Sequence, residues 1–189
     1  MIELDESLVY RDLQKHLDSM PVGFPPTESG VEIRILKRLF TPEEAKIATY
    51  LTFSSIPSET LEEIHQRMES MGISKNELKS RLDTMASKGL IFRKKGERTT
   101  FYGNAQWVIG IYEFQVNKMS AELYSDIVDY NIEAFGRELF YSPLPQLRVI
   151  PVGKSIEHTH EIAAYDNIRE LLTKADGPFM VANCICRQA

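Results

Sequence analysis

Apolar residues recur at helical spacing in the first forty residues of the chain. They predict a first helix over residues 7–20, which proline and glycine residues between 21 and 30 interrupt. The apolar side of this helix is formed by Leu8, Leu13, Leu17 and Met20. Ser29 followed three residues later by Glu32 is typical of a capping box and predicts the start of a second helix. The pattern therefore predicts an N-terminal helical arm over residues 1–40.

The next part of the chain combines three helix starts with a hairpin. The starts are marked by Thr41 before Pro42, by Thr60 with Glu63, and by Ser74 with Glu77. After Gly89, two β-favouring runs flank a charged turn that contains Gly96, which predicts a β-hairpin over residues 90–102. Three short helices followed by a hairpin are the element order of a winged helix-turn-helix. We therefore predict such a domain over residues 41–118.

The remaining pattern predicts one long helix and a small mixed unit. Residues 107–116 are apolar and fit either a helix or a strand. Residues 120–140 predict a helix, and we assign residues 119–142 to a linking or dimerisation helix. The later predicted elements are a strand over 147–152, a helix over 165–175 and a strand over 179–182. They form a strand–helix–strand unit within residues 143–189, which we predict to be the start of an incomplete cysteine-bearing segment. The predicted fold class is α+β and mostly helical.

Composition is that of an ordinary globular protein. The chain has 189 residues, is 43% hydrophobic and 26% charged, and carries a formal net charge of −5. These values argue against disorder or a coiled coil as descriptions of the whole chain. The sequence has no apolar run long enough to cross a bilayer, and its first residues are acidic, unlike a signal peptide. We therefore predict a cytoplasmic protein that makes no contact with a membrane.

Positive charge is concentrated in residues 74–100. This stretch holds eight Lys and Arg residues against three acids, so it carries +5 and the rest of the chain carries −10. The candidate residues for contact with DNA or a protein partner are Lys75, Asn76, Lys79, Ser80, Arg93, Lys94, Lys95 and Arg98. Asp83 lies on the same outer helix face and would repel phosphate. The sequence is compatible both with DNA contact and with a protein-docking or dimerisation role.

The two cysteines, Cys184 and Cys186, are separated by a single residue. Both thiols can bind one metal ion or cluster if the backbone turns between them, and Arg187 would favour their thiolate forms. An alternative is that the two cysteines are simply buried small residues. A further alternative is a Cys₂His₂ zinc site with His158 and His160, although this spacing matches no common zinc finger.

Three stretches of the chain resemble a family of iron–sulfur proteins from anaerobes. The stretches are residues 13–25 leading into 39–45, the run Gly110-Ile111-Tyr112-Glu113-Phe114-Gln115, and the ending Asn183-Cys184-Ile185-Cys186-Arg187. Proteins of that family have an N-terminal winged-helix region, a segment that opens with Cys-x-Cys-Arg, and a ferredoxin-type 4Fe-4S module. The resemblance spans nearly the whole chain. It implies that Cys184 and Cys186 are the first two cluster ligands, and that this chain is the N-terminal part of a longer protein.

The resemblance also sets the expected cofactor. It implies a 4Fe-4S cluster in the full-length protein, whereas the 189 residues have only two cysteines and such a cluster normally takes four thiolates. We therefore expect no cluster in this chain by itself. Iron and sulfide analysis after anaerobic reconstitution tests that expectation.

Three functions compete at the level of sequence. The first is a non-enzymatic iron–sulfur electron-transfer protein with a redox partner, in which the winged helix serves docking or homodimer formation through the first helix or residues 120–140. The second is a DNA-binding regulator of the winged-helix type whose cluster senses redox state. The third is an enzyme with Cys184 or Cys186 as nucleophile and His158 or His160 as base, for which the spacing gives no support.

Overall fold

The computed structural model describes residues 6–54, 56–141 and 165–188. The helices are α1 (Glu6–Asp18), α2 (Val31–Leu39), α3 (Pro42–Ala48), α4 (Leu61–Arg67), α5 (Lys75–Lys88), α6 (Ala121–Tyr130), α7 (Gly136–Tyr141), α8 (Tyr165–Lys174) and α9 (Ile185–Gln188). The strands are β1 (Glu59–Thr60), β2 (Ile91–Lys95) and β3 (Thr100–Asn104). The described residues are thus mostly helical with a small antiparallel sheet of three strands, consistent with the predicted α+β class.

The chain divides into two compact units. The first unit comprises Met1–Gln146 together with Asn183–Ala189, and the second comprises Leu147–Ala182. The first unit therefore contains both cysteines as well as the arm, the hairpin and the long helix. No helix in the described ranges is both long and apolar enough to cross a membrane.

The arm consists of α1 and α2, which pack against each other, and α1 also packs on α3. The predicted capping box at Ser29 and Glu32 is wrong, because Gly30 is the N-cap of α2 with φ +70°. The first amide of α2 instead donates to Thr27 Oγ1 and to Ser29 Oγ, at 3.1 and 3.3 Å. Glu32 is fully buried, and its carboxylate forms an ion pair with Arg11 at 3.0 Å and accepts a hydrogen bond from the Thr27 hydroxyl, so it does not form the predicted bond to the Ser29 amide.

The three later helix starts were predicted correctly because their signals are local. Thr41 and Thr60 each form a reciprocal capping box with the glutamate three residues later, Glu44 and Glu63. Ser74 accepts a hydrogen bond from the Glu77 amide at 3.3 Å. The Glu77 carboxylate does not complete that box and instead forms an ion pair with Arg81 on the same helix.

The predicted hairpin is confirmed as β2 and β3. These strands pair antiparallel from Ile91 opposite Asn104 to Lys95 opposite Thr100, and the Gly96 amide donates to the Thr99 carbonyl at 2.8 Å to close the turn. The sheet order is β1-β3-β2, because the two residues of β1 pair with β3. β1 was not predicted, since two residues carry too short a pattern to recognise.

Residues 107–116 form neither the helix nor the strand that their apolar pattern allowed. The backbone is extended at Val108 and Ile109 and then forms a 3₁₀ turn over Glu113–Gln115. Trp107 and Ile111 are nevertheless buried. The apolar character of the segment therefore reflects burial of these two residues and not a regular element, whereas Ile109 and Phe114 are exposed.

The long helix predicted over 120–140 is confirmed, with Ser120 as its N-cap. It runs from α6 through a wider π-helical turn, Asn131–Phe135, into α7. Asp126 of α6 accepts hydrogen bonds from Arg34 at 3.2 Å and Arg38 at 2.6 Å, which fixes this helix against α2.

The second unit confirms one predicted element and corrects another. Helix α8 lies where the pattern placed it. Residues 179–182 do not form the predicted strand, because no strand in the described part of the chain pairs with them. Met180 and Val181 are accordingly 91% and 96% exposed. The strand predicted over 147–152 lies outside the described residues.

Candidate functional site

The outer face of α5 carries the helical part of the predicted contact surface. Leu78, Leu82 and Met85 are fully buried, which turns the opposite face of the helix outward as predicted. That face lines an open depression of about 500 Å³. The predicted contact residues in its lining are Asn76, Lys79 and Ser80. Lys75, at the start of the helix, is exposed beside it.

Asp83 is the centre of a polar cluster that joins α5 to the hairpin. Its carboxylate accepts hydrogen bonds from Lys79 Nζ at 2.7 Å, from Tyr102 Oη at 2.9 Å and from an Arg93 guanidinium nitrogen at 3.1 Å. We call Asp83, Lys79, Arg93 and Tyr102 the Asp83 cluster. The carboxylate that was expected to repel phosphate is therefore neutralised by two of the predicted contact residues.

The Asp83 cluster shifts two pKa values in opposite directions. Partial burial acts to raise the pKa of the Asp83 carboxyl, but the hydrogen bonds from its three donors outweigh burial and hold that pKa below its ordinary value. Burial, followed by the hydrogen bond to the carboxylate, raises the pKa of Tyr102 to about 12. Tyr102 is therefore a neutral donor at physiological pH.

We expect Asp83→Asn to lower the free energy of unfolding by roughly 1–2 kcal/mol near neutral pH, because three donors lose a charged acceptor. A carboxyl with a depressed folded-state pKa stabilises the protein above its unfolded pKa, and this stabilisation is lost as pH falls through the folded value. Urea denaturation at a series of pH values should therefore show that the difference in free energy of unfolding between the unchanged protein and Asp83→Asn becomes smaller in acid. A difference that stays constant across that range would contradict the assigned cause.

Other cations of α5 are also engaged by acids. Lys75 forms an ion pair with Glu62 of α4, and Arg81 lies 2.9 Å from Glu77 and 3.8 Å from Glu43. By contrast, the hairpin tip, which we define as Lys94, Lys95 and Arg98, forms no ion pair within the described part of the chain. The predicted basic surface thus separates into a paired helix face and an uncompensated hairpin tip.

The cysteines lie in a C-terminal turn that is anchored to the first unit. Ile185 is 5% exposed, whereas Cys184 and Cys186 on either side of it are exposed. The Asn183 side-chain amide donates to Asn117 Oδ1 at 2.7 Å, and the Arg187 amide donates to the Cys184 carbonyl at 3.1 Å. The alternative in which both cysteines are buried is therefore wrong. One apolar side chain fixes the turn and both thiols remain accessible.

The cysteine turn lies beside Tyr112. Burial raises the pKa of the Tyr112 hydroxyl, and the charge of Cys186, with a smaller contribution from Cys184, acts in the same direction. The neighbouring carboxyl of Glu113 also has a pKa raised by burial, and it accepts a hydrogen bond from the Gly110 amide at 2.6 Å. Tyr112 was not identified from sequence as a neighbour of the thiols, because no local pattern reports a contact between such distant segments.

The two thiols can supply soft ligands to a metal centre, but they do not complete one. Within the described ranges, no group of three or more His, Cys, Asp or Glu side chains is arranged to hold a metal ion. His158 and His160, the alternative zinc ligands, lie outside the described residues. Of the remaining histidines, His16 and His65 are satisfied by the carbonyls of Leu51 and Ile73, both at 3.0 Å.

Comparisons of this chain with protein-family models, with curated proteins and with solved structures found no match. The resemblance to iron–sulfur proteins therefore rests on the motifs in the sequence alone.

Proposed function

We propose that this chain is the winged-helix interaction region of a cytoplasmic iron–sulfur redox protein, in which Cys184 and Cys186 supply two cluster ligands. The main support is the cysteine turn, in which buried Ile185 holds two exposed thiols at the surface of the first unit. The order α3, α4, α5 and hairpin supports the winged-helix part of the proposal.

The chemistry of the cofactor defines what the turn contributes. A 4Fe-4S cluster normally takes four thiolates, so the turn would supply half of the set and further cysteines the rest. The exposed thiols can reach a cluster without breaking the packing of Ile185. In this proposal the hairpin and α5 dock a redox partner. The exposed residues Tyr124, Val128 and Ile132, four apart on the long helix, support the further proposal of a homodimer.

The decisive experiment is anaerobic reconstitution of the complete gene product, followed by iron and sulfide analysis and visible absorption. We expect the protein with Cys184→Ser and Cys186→Ser to lose the charge-transfer absorption and most of its iron, because serine is a poor cluster ligand. Lys95→Gln, which changes a residue of the hairpin tip, is the control and should retain both the charge-transfer absorption and the iron. Equal iron content in the cysteine variant and the unchanged protein would overturn the proposal.

A second candidate function is DNA binding, which the uncompensated hairpin tip favours. Its three cations are free of ion pairs within the described residues, and such cations contact phosphate in salt-dependent binding. We expect Lys94→Gln combined with Lys95→Gln to make the slope of log affinity against log salt concentration less steep, by the amount that corresponds to about two lost phosphate contacts. Arg81→Gln, at an arginine already paired with Glu77, is the control and should change it less. Absence of any salt-dependent binding to duplexes would exclude this candidate.

A further inference from the structure

The first unit contains a cavity of about 600 Å³ where the ends of α2 and α5 meet the start of α6. This volume is in the range of small-molecule sites, about 300–1,000 Å³. Three leucines in its lining are largely buried, with 7% exposure for Leu39, 1% for Leu90 and 5% for Leu123. The floor of the cavity is therefore formed by the exposed edges of leucines that are held in place by the core.

Three cations line the same cavity, and no carboxylate does. They are Arg38 from α2, Lys88 from the end of α5, and Lys118 from the segment before α6. Lys88 forms an ion pair with Glu44, so its charge is compensated. Arg38 and Lys118 therefore determine how much positive charge the cavity can offer to a ligand.

The contacts of Arg38 and Lys118 leave positive charge available. Arg38 uses Nε to bind Asp126, and within the described part of the chain its two terminal nitrogens make no hydrogen bond. Asp126 also binds Arg34, so one carboxylate serves two guanidinium groups. Lys118 Nζ donates to the Ser87 carbonyl at 2.8 Å, which is a neutral acceptor. Asp126, and Glu122 at the start of α6, whose carboxyl pKa is lowered by hydrogen bonds from its own backbone and Ser120 and further by the charge of Arg38, offset part of this charge. The cavity thus combines available donors on Arg38 and Lys118 with the exposed edges of the three leucines.

We propose that this cavity binds a small organic anion, with its acidic head at Arg38 and Lys118 and its apolar body against the three leucines. A carboxylate and a phosphate head share the required chemistry, since both accept charge-assisted hydrogen bonds from guanidinium and ammonium groups. Neither the thiols nor the hairpin tip lines this cavity, so its test does not depend on cluster binding; Ser87 and Lys88 at the end of α5 are the lining residues that it shares with the outer face of α5.

The test is an NMR titration of the ¹⁵N-labelled 189-residue protein with octanoate, octyl phosphate and, as a neutral reference, octanol. We expect at least one anion to shift the amide resonances of Ser87, Leu90, Lys118 and Leu123 in a saturable way. The affinity for octanol should be lower by about tenfold or more. The stronger of the two anions identifies the preferred head group.

Matched variants separate this site from general attraction to a cation. Lys118→Gln, at an exposed side chain, should weaken binding of the anion about five- to tenfold. Lys95→Gln removes the same charge at the hairpin tip and should leave the affinity unchanged. The proposal is overturned by no saturable shift at the cavity, by octanol binding as tightly as the anions, or by equal effects of the two substitutions. Circular dichroism of each variant confirms that the comparison is between folded proteins.

Discussion

Replacing Phe24 with alanine is expected to lower the free energy of unfolding by about 3–5 kcal/mol. The Phe24 side chain is fully buried, and its ring centroid lies 5.3 Å from that of Trp107 and 4.7 Å from that of Tyr130. Truncation removes apolar contact and leaves a cavity that the surrounding rings cannot close, because they belong to different segments. Urea denaturation followed by circular dichroism and by Trp107 fluorescence would measure the loss.

A matched variant separates cavity formation from the loss of aromatic contact. Phe24→Leu keeps most of the buried volume, so it should cost markedly less than Phe24→Ala. We expect the Trp107 emission to shift toward the solvent-exposed value in the alanine variant only, since Trp107 is 1% exposed. A loss below about 1 kcal/mol for the alanine variant would show that this aromatic cluster does not hold the first unit together.

The aromatic cluster also shows where prediction from sequence ends. The starts of α3, α4 and α5 were predicted because a cap involves side chains three residues apart. Phe24 lies in a segment whose proline and glycine content predicted only a break between helices. Its burial depends on Trp107 and Tyr130, which are more than eighty residues away in the sequence. Glu32 does not form its predicted capping bond partly for the same reason, since Arg11, one of its two partners, lies on α1.

The candidate site follows the same division between local and long-range information. The outer face of α5 was predicted because helical periodicity fixes which residues face inward. The role of Asp83 as the shared acceptor of its cluster was not predicted, because two of its donors, Arg93 and Tyr102, come from the hairpin. The single buried residue between two cysteines could not be foreseen either. Burial of Ile185 depends on the surface of the first unit and not on the motif itself.

The second large effect is expected from Gly89→Ala, which should cost roughly 2–5 kcal/mol. Gly89 ends α5 with φ +81°, in the left-handed region that disfavours an L side chain. A β-carbon there would overlap the β-carbon of Phe114 and lie 3.1 Å from its carbonyl oxygen. A rotation of the Phe114 side chain cannot relieve this overlap, because the close atoms are its β-carbon and backbone oxygen, so the backbone of the segment must shift. Such a shift would also disturb the edge-on packing of the Phe114 ring against Phe92 of the hairpin at 5.6 Å. The main measurement is the midpoint of urea denaturation.

Gly72→Ala is the control that isolates the contact from the backbone conformation. Gly72 has φ +63°, and a β-carbon there would meet no atom within 4 Å, so only the conformational cost of about 1–2 kcal/mol applies. The excess loss in Gly89→Ala therefore measures how tightly the end of α5 is packed against the turn over Glu113–Gln115. Tyr112 precedes that turn directly, so its displacement should also change how fast a disulfide reagent labels Cys184 and Cys186. Equal losses in the two variants would show that the turn moves away from the added β-carbon at no cost, and that the end of α5 is not tightly packed against it.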